Sequence, residues 1–179
     1  GAEFNHNFQF TFGVGFRLGD FPEEQPAVQT SGDAQGLRRY EVGVQVTSLI
    51  VEPSAPAGLT SLASRKHAEP GFGGRFTFNL TDHVAFEGEG NYFTRLQGFP
   101  DGGHMFQGQF GVKVGKRFDR WGLFGKARPG FIGFTKVIAF PFGVQGPVVI
   151  PSEKRLYPSL DVGGVVEFYI SPRWMARFD

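Results

Sequence analysis

The residues able to do chemistry are few and scattered. The histidines are His6, His67, His83 and His104, and no two stand at a metal-ligand spacing such as H-x-x-x-H, so no metal site is expected. Asp82-His83 falls inside "NLTDHV" and Asp101 to His104 inside "PDGGH", where Asp and Gly serve the geometry of tight turns. The "NLT" triplet is a glycosylation sequon only in a secretory eukaryotic setting. Glu87 and Glu89 stand two apart, as a catalytic carboxylate pair on one strand face would. Two acids that neutralise cations in a closed interior would be spaced the same way, and bases on the neighbouring segments favour that reading. Matches to GxGxxG carry no weight in a chain with 27 Gly. No catalytic residue, cofactor site or metal ligand is expected, and the chain reads as a non-enzyme.

The two-residue spacing extends far beyond that pair. Arg17, Glu41, Arg75, Glu87, Glu89, Lys113, Arg117, Lys126, Arg128, Asp161, Glu167, Arg177 and Asp179 lie on the polar faces of segments with a period of two. The first segment sets Phe8, Phe10, Phe12, Val14, Phe16 and Leu18 against Gln9, Thr11, Gly13, Gly15 and Arg17. The next is Tyr40 to Leu49. A third runs from Arg75, with a start near Phe72, to Leu80, and carries Phe76 and Phe78. The rest are Ala85 to Phe93, Phe106 to Phe118, Trp121 to about Phe134, Leu160 to Ile170 and Arg173 to Asp179, which makes eight in all. The sixth breaks phase at Pro129 to Ile132. Proline cannot donate to a ladder, so a β-bulge is expected there. No helical period is present.

Composition narrows the class. A chain of 179 residues suits one domain, here 1–179, and a net charge of +1 gives no electrostatic support to a nucleic-acid partner. The absence of cysteine excludes disulfides and thiolate chemistry. No apolar run approaches the ~18 residues of a membrane helix, and no basic-then-apolar export signal opens the chain. Tight connections ("NLTDHV", "KRFDRWG", "YISPRWM") alternate with long ones rich in Pro, Ser and Lys/Arg ("VEPSAPAGLTSLASRKHAEPG", "VQGPVVIPSEKR"). Short turns on one side and longer loops on the other are the habit of outer-membrane barrels.

The expected fold is therefore an eight-stranded antiparallel up-and-down β-barrel of outer-membrane type. Its polar faces carry seven bases and six acids, close to the balance a closed interior needs. Glu87 and Glu89 would meet Lys113, Lys126 and Arg128 on adjacent strands. Inward glycines such as Gly13, Gly15, Gly43, Gly111 and Gly163 would leave room for long cations. Phe8, Phe10, Phe12, Phe16, Phe76, Phe78, Phe86, Phe110 and Phe168 would face lipid or a partner, with Tyr40, Tyr92, Trp121, Tyr169 and Trp174 near the membrane interfaces. The opposite orientation, a soluble carrier with a Phe-lined cavity, is the competing fold reading.

The stretches "EVGVQVTSL", "PGFGGRFTFNLTDHVAFEGEGNYF", "FGVKVGKRFDRWGLFGKARPGFIGF" and "LDVGGVVEFYISPRWMARFD" resemble the small eight-stranded outer-membrane barrels related to outer membrane protein A. The likeness covers most of Tyr40 to Asp179 and implies a bacterial outer-membrane location. It implies little about activity, since such barrels serve as anchors, adhesins or narrow pores. Some outer-membrane proteases use loop Asp and His, which keeps a minor enzyme reading open. In that family a strand like "HNFQFTFGVGFRL" comes last; here it comes first, so the strand order looks circularly permuted. Residues 1–19 would hold this strand, 20–38 a polar linker and 39–179 the other seven. The first strand (Phe8, Phe10, Phe12, Val14, Phe16, Leu18) would close its own barrel or be exchanged into a neighbour, making the chain a subunit of an extracellular filament. The implied partners are outer-membrane lipid and, through that strand, a second copy.

Overall fold

In a computed structural model of the chain, residues 8–20, 38–51, 67–94, 104–135 and 155–179 are described. They form eight strands: β1 (Phe8–Asp20), β2 (Arg38–Val51), β3 (His67–Asn79), β4 (Val84–Phe93), β5 (Met105–Arg117), β6 (Trp121–Phe134), β7 (Arg155–Tyr169) and β8 (Trp174–Phe178). Each pairs antiparallel with its neighbours in sequence, and β1 pairs with β8, so the sheet closes on itself as β1-β2-β3-β4-β5-β6-β7-β8. Alternation explains the closure. One face of every strand is apolar and the other polar, and eight strands curl into a tube just wide enough for one face to fill.

The tight turns share one end of the barrel. Leu80 to His83 joins β3 to β4, Phe118 to Arg120 joins β5 to β6, and Ile170 to Arg173 joins β7 to β8. Two of these turns are built alike. Thr81 Oγ1 accepts from the backbone N–H of His83 (3.2 Å) and of Val84 (3.0 Å). Ser171 Oγ accepts from Arg173 (3.4 Å) and Trp174 (3.1 Å) in the same way. A hydroxyl at the second turn position thus satisfies backbone donors that the bend has taken out of the ladder. The chain between β1 and β2 (21–37) also connects at this end, next to Gly19, whose positive φ of 72° suits glycine. The stretches 52–66, 95–103 and 136–154 connect strands at the opposite end.

Two expected boundaries move and the expected bulge is absent. β3 begins at His67 rather than near Phe72, and β7 at Arg155 rather than Leu160. Prolines caused both short readings. Pro70 pairs with Ser48 on β2, and the β3–β4 ladder starts one residue later, at Gly71, so the missing N–H of Pro70 breaks no bond on that side. β6 keeps one register with β5 on either side of Pro129, Gln109↔Gly130 and Val112↔Ala127, and pairs with β7 without a shift. The apparent phase break came from apolar residues that point inward: Ile132 and Phe134 pack against Leu49, Phe93 and Met105 and plug one end of the barrel. His6, Asp101 and linker residues 21–37 lie outside the described residues.

Candidate functional site

A single-layered sheet has two sides, and burial separates them sharply. Exposed Phe8, Phe10, Phe12, Phe76, Phe86, Phe110 and Phe168 stand on the outer wall with Leu18. Phe16, Phe78 and Val14 share that side but are half-covered by their neighbours. Phe16 packs edge-on against Trp174 with ring centroids 5.0 Å apart, and Phe78 lies 5.4 Å from Tyr40. Phe110 is 70% exposed, whereas Arg128, Glu167 and Arg177, which a water-soluble protein would place outside, are 0% exposed.

The lumen holds the charges in a continuous network. Arg177 of β8 donates from Nη1 to Glu87 Oε1 and from Nη2 to Oε2 (2.9 Å), a two-pronged clasp on a carboxylate from β4. Lys113 donates to Glu167 and lies 3.3 Å from Glu87. Arg128 donates to Glu89, and its Nε to Asp161 at 2.9 Å. Lys126 reaches Asp161 at 3.0 Å and Asp179 at 2.9 Å. Toward the tight-turn end, Glu41 receives Arg117 (3.5 Å), Lys113 (3.8 Å) and Arg17 (3.8 Å), while Arg17 also covers the Tyr169 ring at 4.8 Å. Arg75 lies 3.9 Å from Asp179 and donates to Gln45 Oε1 at 3.2 Å.

Geometry reassigns two of the expected partners. Glu87 does approach Lys113 and Arg128 (3.7 Å), but its clasp comes from Arg177, across the lumen rather than on a neighbouring strand. Lys126 turns to Asp161 and Asp179 and leaves Glu87 and Glu89 to others. The glycine expectation also needs correction in part. A Cβ on Gly43 would meet the Arg75 guanidinium at 3.4 Å, and one on Gly163 would meet the Lys126 stem at 3.3 Å. At Gly15 the neighbour is Met175, and at Gly13 and Gly111 the nearest atoms are backbone of the adjoining strand, so those three clear space for other groups.

Two features were missed from the sequence. One is Glu69, 2% exposed on β3, hidden because "HAEPG" reads as loop. With it the inward charges among the described residues are seven bases (Arg17, Arg75, Lys113, Arg117, Lys126, Arg128, Arg177) and seven acids (Glu41, Glu69, Glu87, Glu89, Asp161, Glu167, Asp179). The other is a belt of amides and hydroxyls beside the apolar plug. Gln107 donates to Gln9 (3.1 Å), Gln9 to Thr47 (3.0 Å), Asn91 to Gln107 (3.0 Å) and to Glu89 (2.7 Å), and Gln45 to Asn91 (2.8 Å). Period-two spacing had marked these side chains as polar without showing that they interlock.

His83 and Asp82 are exposed on the turn after β3, and His104 is exposed with its ring 5.4 Å from Tyr92. Among the described residues no cluster of three His, Cys, Asp or Glu side chains is arranged to hold a metal. Glu87 and Glu89 are both sealed under bases. What the described geometry can do is bind its own charges: a packed polar interior inside an apolar wall. No protein-family model, curated protein or solved structure matches the chain.

Proposed function

We propose that this chain is a membrane-spanning β-barrel of the outer-membrane type, non-catalytic, with a structural, anchoring or interaction role. The observation that carries the reading is the inversion of polarity. Among the described residues, twenty-nine large hydrophobic side chains are exposed, against eight buried hydrophobics. A water-soluble monomer rarely exposes a contiguous apolar patch beyond a few hundred Å². An apolar wall of this extent is matched to lipid, and the closed ladder leaves most backbone groups paired. Aromatic side chains gather toward both ends: Tyr40, Phe118, Trp121 and Trp174 at the tight-turn end, Phe72, Tyr92, Phe106 and Phe131 at the other. This is the placement of interface girdles.

The strand order supports permutation relative to the outer membrane protein A-like barrels that the sequence resembles. Joining the end of β8 to the start of β1 and opening 21–37 would leave only tight turns at one end. With seven bases and seven acids among the described residues and an apolar plug inside, the barrel serves as a filled body that conducts little. Expression in a Gram-negative host with a secretion signal tests the location. Recovery with outer membranes, released only by detergent, is expected. Recovery as a soluble periplasmic monomer would overturn the reading.

A further inference from the structure

The four strands that leave the tight-turn end, β2, β4, β6 and β8, begin on a common plan. Each pairs with the strand that follows it around the wall, and the last pairs of these ladders are Tyr40↔Phe78, Val84↔Val114, Trp121↔Phe168 and Trp174↔Phe16. One step below each pair stands Arg39, His83, Arg120 or Arg173. Backbone hydrogen bonds fix the level. The carbonyls of His83, Arg120 and Arg173 accept from the N–H of Gly115, Tyr169 and Arg17 on the following strand, at 2.8, 3.0 and 2.8 Å. All four side chains are exposed. They form a ring of three arginines and a histidine at one height, directly beyond Tyr40, Trp121 and Trp174.

Alternation alone would send these side chains toward the lumen. Arg39 turns outward instead: its guanidinium lies 5.4 Å from the Phe78 ring and 6.0 Å from the Tyr40 ring, on the outer wall. Lys116, in outward phase on β5, adds a cation 5.5 Å from the Phe118 ring, which stacks on Trp121 at 4.2 Å. A cation laid across an aromatic face at the edge of an apolar wall is placed to reach into the polar layer beyond it. Among the described residues the exposed acids at this end are Asp82 and Asp119, against Arg39, Lys116, Arg120 and Arg173, so the balance is positive.

We propose that this ring is a docking surface for the headgroups of anionic phospholipids in the leaflet at the tight-turn end. The proposal rests on the membrane-spanning reading and adds a lipid preference to it. Charge complementarity selects the occupant. Interfacial tryptophan and tyrosine sit at headgroup level, so a base one residue beyond them, away from the apolar wall, stands among the lipid phosphates. Each base near an anionic lipid surface is attracted to it over about a Debye length. A phosphatidylcholine headgroup offers the same phosphate beside a cation that cancels its charge, so the ring separates the two lipids by net charge.

The chain has two tryptophans, Trp121 and Trp174, and both adjoin the ring, so intrinsic emission reports on the lipid there. Emission is expected to be quenched in protein folded into vesicles of brominated phosphatidylcholine. Replacing part of that lipid by unbrominated phosphatidylglycerol should restore emission more than the same share of unbrominated phosphatidylcholine, with a preference of about fivefold. The triple variant Arg39→Gln, Arg120→Gln, Arg173→Gln, its folding checked by circular dichroism, should show a ratio near one. The corresponding triple Arg→Lys variant should keep the preference. In the parent chain sodium chloride should weaken it, and sodium phosphate at equal ionic strength should weaken it no further. A quenched parent chain without the preference, or a preference kept in the folded glutamine variant, would overturn the proposal and leave the membrane reading standing. A larger loss in phosphate would also overturn it and assign the ring to free phosphate. Emission untouched by brominated lipid would overturn the membrane reading, and the proposal with it.

Discussion

At the scale of single residues, the lumen can hold its charges only because they are paired. An unpaired buried charge costs several kcal/mol, and among the described residues the interior holds seven of each sign. Glu87 is the hub, in contact with Arg177, Lys113 and Arg128. Glu87→Gln and Arg177→Met are each expected to lower stability by about 3–5 kcal/mol in denaturant titrations, with the double variant losing less than the sum. Unchanged midpoints would mean a solvated lumen. Alternation alone separated the inward charges from the outward phenylalanines, because period two leaves a side chain only two directions. Partner choice was not legible. In so narrow a tube an arginine spans the lumen, so Arg177 competes for Glu87 with strand neighbours that sequence adjacency favours. Glu69 stayed hidden behind Pro70 and Gly71, whose local signals point to a loop although the β2 ladder runs past them.

At the scale of elements, the tight turns were legible and the starts of β3 and β7 were not. "NLTDHV" and "YISPRWM" carry Thr81 and Ser171 at the same turn position, and each hydroxyl takes two backbone donors. Thr81→Ala and Ser171→Ala are each expected to cost about 1 kcal/mol, read as a lower unfolding midpoint. Thr81→Ser should behave as the parent chain, and an alanine variant equal to the parent would remove the hydroxyl from the account. Proline misled at the other end of the strands. Pro158 pairs with Phe131, and the described β7–β8 ladder runs only from Val166 to Tyr169, so among the described residues no second ladder asks for its N–H. Pro129 holds its register without a bulge, and the apolar Ile132 and Phe134 that disturbed the pattern belong to the plug.

At the scale of the whole molecule, β1 is the strand that closes the tube, since it pairs with β2 along nearly its full length and with β8 at the seam. Deleting residues 1–19 is expected to abolish the folded barrel in isolated chains. A truncated chain that folded and stayed monomeric would show that the strand is dispensable. The closed antiparallel architecture was legible because every level of the sequence agreed on it. The phenylalanine wall is expected to face lipid, and depth-dependent fluorescence quenching measures this. A fluorophore on Phe110→Cys, in protein folded into phospholipid vesicles, should be quenched by brominated acyl chains and shielded from aqueous iodide, while the same fluorophore on Asp119→Cys, on the exposed turn between β5 and β6, should show the reverse. Iodide quenching at Phe110→Cys with no effect of brominated lipid would contradict the account.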